Sequence, residues 1–98
     1  MINLKTTVND KDTVMTLFQD GKKVKSKSLG YRKFKKLEGF SAGTYQVVAK
    51  NVIWKSQPYE FYYDGLQPIT LVAIAHPDYN IFKRLTTKRN EYFKIIEE

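Results

Sequence analysis

Apolar and polar residues alternate along most of this chain, and short clusters of turn-forming residues interrupt the alternation. Ile2, Leu4 and Val8 alternate with polar neighbours as a first strand would, and Asn9 to Asp12 (NDKD) is turn chemistry. Thr13 to Phe18 (TVMTLF) is rich in β-branched and apolar residues, which predicts a second strand. The Asp20-Gly21 pair that follows suits a two-residue type I′ turn, in which both central residues take positive φ. The return strand then runs into GKKVKSKS. Period-2 alternation there puts Val24, Ser26 and Ser28 on one face and Lys23, Lys25, Lys27 and Leu29 on the other. After Gly30 the spacing changes. Tyr31, Phe34 and Leu37 recur every third residue, with Arg32, Lys33, Lys35 and Lys36 between them, which predicts a short helix or helical turn with one apolar edge.

Glu38 to Gly43 is predicted to be a loop, and Thr44 to Ala49 (TYQVVA) a strand. Val52 to Trp54 reads as the bent continuation of that strand or as its hairpin partner. Tyr59 to Tyr63 alternates, with Tyr59, Phe61 and Tyr63 on one face and Glu60 and Tyr62 on the other; Asp64-Gly65 turns the chain again. Ile69 to Ala75 (ITLVAIA) is a continuous apolar run between breakers, as expected of a central strand buried on both faces. From Asp78, a helix-capping residue, the steps from Phe82 to Leu85, Arg89, Tyr92 or Phe93, and Ile96 predict a C-terminal helix, with YFKII as a competing last strand. Together these elements predict an α+β fold: a small, mostly antiparallel curled β-sheet or barrel of about six strands, of OB, PUA or SH3-like size, with a C-terminal helix. The expected organisation is a single compact domain over residues 1–98.

Composition narrows the classes. An apolar fraction of 42% with 14% aromatic residues is too high for a disordered chain of this charge. With no cysteine and one histidine, disulfides, thiolate nucleophiles and closed zinc sites are not expected, so no metal and no cofactor is assigned. The N-terminal residues have no apolar segment of signal-peptide type and no run is long enough to span a bilayer, so the expected location is the cytoplasm, without membrane association.

Charge changes the picture most. The formal net charge is +7, and the stretch from Gly21 to Lys36 holds eight of the 17 basic residues and no acid. Such clustering attracts phosphate or an acidic surface. A second basic group, Lys83, Arg84, Lys88 and Arg89, falls on one stripe of the predicted helix. Phosphate contacts are therefore expected from Lys23, Lys25, Lys27, Arg32, Lys33, Lys35 and Lys36, with Lys83, Arg84 and Lys88 on a second side. Tyr31, Tyr62 or Trp54 are candidates for stacking on unpaired bases. The expected function is a small regulatory nucleic-acid-binding module, for RNA or single-stranded DNA before duplex DNA. The alternative is a protein-interaction or inhibitor module whose basic face docks on an acidic partner. A lysine-loaded edge strand that blocks sheet-to-sheet pairing accounts for part of the same pattern.

Catalytic constellations are absent from the sequence. His76-Pro77-Asp78 resembles the His-Pro-Asp tripeptide of J-domain co-chaperones, but there it lies between two long helices, whereas here a strand-like run precedes it. The tripeptide is therefore read as a turn and helix cap. The glycines are dispersed, with neither a dinucleotide-binding nor a phosphate-loop pattern, and the carboxylate pairs lie in turns or at the terminus, so an enzyme is not expected.

Overall fold

The computed structural model describes residues 1–8, 12–29, 34–75 and 92–98. These residues form eight strands: β1 (Ile2–Thr6), β2 (Val14–Gln19), β3 (Lys22–Ser28), β4 (Phe34–Leu37), β5 (Gly43–Lys50), β6 (Tyr59–Tyr63), β7 (Ile69–Ala75) and β8 (Phe93–Glu97). They make two four-stranded sheets, ordered β4-β1-β7-β8 and β3-β2-β5-β6. Neither sheet closes into a barrel and the described residues contain no helix, so the expected α+β architecture is replaced by an all-β, two-sheet one. It follows that no helix among the described residues is long and apolar enough to cross a membrane.

The sheets share one core. Ile2, Leu4, Leu71, Ala73, Phe93 and Ile95 from the first sheet join Met15, Leu17, Tyr45, Val47, Phe61 and Tyr63 from the second. On these strands the core residues stand two apart, and each fully buried Leu or Ile contributes about 1.5–3 kcal/mol relative to exposure. β7 is the central strand expected of ITLVAIA. It lies between a parallel β1 and an antiparallel β8, and its middle residues Leu71, Val72 and Ala73 are buried. The tyrosine strand β6 keeps its expected faces, with Phe61 and Tyr63 buried and Tyr62 exposed.

Two segments expected to be helical are strands instead. Phe34–Leu37 is strand, not a helical turn: it pairs with β1 in the register Leu4↔Lys35 and Ile2↔Leu37. Phe34 and Leu37 thus lie on opposite faces, and Phe34 is 44% exposed with the Lys36 ammonium 6.0 Å from its ring centre. Residues Phe93–Glu97 pair with β7 and extend its sheet, so the competing last strand replaces the end of the predicted helix. The remainder of that helix, with His76-Pro77-Asp78, lies outside the described residues.

Local chemistry sets the turns. Asp20 and Gly21 adopt φ of 55° and 75°, as the hairpin motif requires. The segment after β5 is a turn rather than a strand: the Asn51 side-chain oxygen accepts from the Ile53 and Trp54 backbone N–H groups. It folds back on β5 through Ser56, whose N–H donates to the Ala49 carbonyl and whose hydroxyl accepts from the Ala49 N–H. Asp64-Gly65 does not form a hairpin, because β6 and β7 belong to different sheets. There Asp64 accepts from the Leu66 and Gln67 N–H groups, each at 2.8 Å. Those two bonds, Leu66 first, hold its carboxyl below the usual carboxylate range.

Candidate nucleic-acid interface

The edges of the two sheets decide where the charges go. At one side β6 and β8 meet, where the Tyr59 hydroxyl donates to Glu97 at 3.0 Å and β5 also approaches β8. Partial burial, and then the bond and negative charge of Glu97, push the Tyr59 phenol above its ordinary value. The other two edges are β3 and β4, each across its own sheet from β6 or β8. They are consecutive in sequence, and the short link holds Ser28 and Phe34 within about 20 Å of each other. Lys22, Lys23, Lys25 and Lys27 stand on β3, and Lys35 and Lys36 on β4, whereas the acidic Glu60 and Glu97 belong to β6 and β8.

Register places the lysines differently from simple alternation. Lys25 pairs with Leu17 and Lys27 with Met15, and both partners are fully buried, so these two lysines share the core-facing side of their sheet. Directly opposite residues in an antiparallel pair lie on one face. The same holds in the other sheet, where Lys35 pairs with the fully buried Leu4. Three lysines from two edge strands are thus directed to the seam between the sheets, with Lys25 and Lys35 exposed and Lys27 half-buried. The expectation that Lys23, Lys25 and Lys27 share one face is corrected here.

Lys23 departs because β3 contains a bulge. The pairing shifts between Leu17↔Lys25 and Phe18↔Lys23, leaving Val24 without a partner of its own. The extra residue turns Lys23 to the outer face beside Phe18. Lys36, paired with Asn3, is on the outer face of the other sheet. Ser26 also faces outward, bonded to Thr16 through their hydroxyls at 3.0 Å, and Ser28 Oγ donates to Asp12. Among the described residues the one ion pair is Lys5–Glu98, at 3.3 Å, so the six lysines of β3 and β4 are not neutralised by carboxylates there.

The other predicted residues separate into three groups. Tyr31, Arg32, Lys33, Lys83, Arg84 and Lys88 lie outside the described residues, as does Arg89. Trp54 is not a stacking platform: it is 7% exposed and stacks on Tyr92 with ring centres 4.9 Å apart. Tyr62 is 66% exposed on the outer face of β6, the far edge of the sheet from β3. Among the described residues no cluster of three or more His, Cys, Asp or Glu could hold a metal ion.

Sequence reasoning passed over a groove on the outer face of the β3-β2-β5-β6 sheet. Its volume is about 480 Å³ and its lining includes Phe18, Gln46, Val48, Lys55, Gln57 and Pro58. Pro58 signals locally only a break in the alternation, and nothing in the sequence shows that residues 55–58 return against β5. Comparison with protein-family models, with curated proteins and with solved structures found no match to this chain.

Proposed function

We propose that this protein is a single-stranded nucleic-acid-binding module, for RNA or single-stranded DNA, holding its ligand through phosphate contacts along the side formed by β3 and β4. The observation that carries it is the set of six lysines on two edge strands that are consecutive in sequence, without carboxylate partners among the described residues and across their sheets from the edges that carry Glu60 and Glu97. Lys25 and Lys27, two apart on one strand, stand about 6.6 Å apart, a spacing that suits an extended phosphate backbone. A single strand also leaves its bases free for aromatic and amide groups on the same sheet.

A second role for part of this set has its own observation. Lys25, Lys27 and Lys35 occupy core-facing positions of edge strands, and inward-pointing charges together with a bulge are devices that block edge-to-edge pairing. Edge protection accounts for those three and leaves the outward Lys23 and Lys36 unexplained. The test is fluorescence polarisation with labelled RNA, single-stranded DNA and duplex DNA of equal length over a range of salt. Binding that prefers single strands and weakens with salt supports the proposal. No binding to any of the three at low salt overturns it and favours an acidic protein as the partner.

A further inference from the structure

The groove beside Phe18, on the outer face of its sheet, differs in chemistry from the lysine seam. Phe18, Val48 and Pro58 make its walls apolar, while Gln46, Gln57 and Lys55 add a few polar groups. A volume of about 480 Å³ is in the range of small-ligand sites, which combine apolar walls with few polar contacts. Phe18 is only half-buried, so its ring reaches solvent. Gln46 donates its amide to Glu60 at 3.0 Å, which leaves its carbonyl oxygen as an acceptor.

Position completes the case. The bulge turns Lys23 out of line with Lys25 and Lys27 and onto the face of Phe18, its direct partner across the strand pair. Lys55 stands in the groove lining. Apolar walls between two cations are complementary to a flat, uncharged ring that carries an anionic phosphate.

From this placement we infer that the groove is a nucleobase subsite. It stacks a base against Phe18, meets the base edge with Gln46 and Gln57, and holds the flanking phosphates with Lys23 and Lys55. The inference rests on the proposed nucleic-acid function and adds a path to it. A strand that follows Lys27 and Lys25 along the seam crosses the sheet edge at Val24 and delivers a base to the outer face.

The test compares a single-stranded oligonucleotide with an abasic sugar-phosphate oligomer of the same length at one salt concentration. Stacking of one base on an aromatic ring corresponds to about 5- to 150-fold in affinity. The wild-type protein is expected to prefer the base-bearing strand by a factor in that range. Phe18→Ala is expected to abolish the preference while leaving affinity for the abasic oligomer unchanged. Equal binding of the two oligomers by wild type overturns the subsite and leaves the phosphate-binding function standing, whereas no binding of either overturns that function as well. A preference that survives in Phe18→Ala also overturns the subsite. Because Phe18 is partly packed, a measurement on the unaltered protein accompanies the variant. Titration with thymidine monophosphate, followed by amide NMR shifts, should perturb Phe18, Gln46, Val48, Lys55 and Gln57. Shifts confined to other residues overturn the assignment.

Discussion

Replacing Lys25, Lys27 and Lys35 together by Gln separates ligand binding from edge protection, the two roles that their position allows. All three side chains occupy the seam between the sheets and none forms an ion pair with a described residue. Surface substitutions of this kind change stability by within about 0.5 kcal/mol. For a chain of this size that corresponds to a Tm shift of about 2–4 °C for each substitution and about 6–12 °C for three that add. Binding is expected to change far more. Each lysine that neutralises a phosphate of a single strand contributes about 0.7 to the slope of log affinity against log salt, so the triple variant should have a slope shallower by about 2. Over a fourfold rise in salt the wild type then loses about 20-fold more affinity than the variant. Fluorescence polarisation with a labelled single strand at several salt concentrations measures this, and a thermal melt controls for folding. An unchanged slope with intact binding would refute the placement of phosphates along the seam. If the variant instead elutes as a dimer or larger species on size exclusion, the lysines are guarding sheet edges.

Three further predictions concern two glycines and pH. Gly21→Ala should destabilise by about 1–2 kcal/mol in urea unfolding, because Gly21 has a φ of 75° that side chains resist. Gly43→Ala should be neutral or stabilising by up to about 1 kcal/mol, since Gly43 lies in a strand and a new Cβ would crowd the movable end of Gln19, at 2.9 Å, and meet the Tyr45 ring at an ordinary 3.9 Å. Equal losses at the two sites would contradict the assigned turn. The Asp64 carboxyl is held below its ordinary value of 3.8, so its stabilising contribution is complete above that pH and is lost as pH falls through the lower folded-state value. The difference in Tm between wild type and Asp64→Ala should therefore shrink at acidic pH. A difference that persists undiminished in strong acid would refute the role of its bonds to Leu66 and Gln67.

Much of the strand content and one turn are written locally in this chain. Asp20-Gly21 adopts the positive φ angles that its residue types permit, and Tyr59, Phe61 and Tyr63 keep to one face because period-2 alternation is a property of the strand itself. The apolar run Ile69–Ala75 announces a central strand for the same reason. Basic clustering between Gly21 and Lys36 is likewise a fact of sequence, and it sets the sign of the partner proposed above.

Tertiary pairing decided the rest. The three-residue spacing of Tyr31, Phe34 and Leu37 suggested a helical turn, but pairing with β1 made Phe34–Leu37 a strand and left Phe34 on the outer face. The spacing of Phe93 and Ile96 suits a helix until β7 offers a free edge for them to join. Local pattern identifies apolar residues without naming the distant segment that covers them, and β1 and β7, some 67 residues apart, are an instance. The lysines show the same limit most sharply. One unpaired residue, Val24, turns Lys23 away from Lys25 and Lys27, and the neighbouring Leu17 and Met15 direct those two toward the seam. A bulge is defined only by its partner strand, so the faces of the basic stretch were settled by the pairing of β3 with β2 and not by its own alternation.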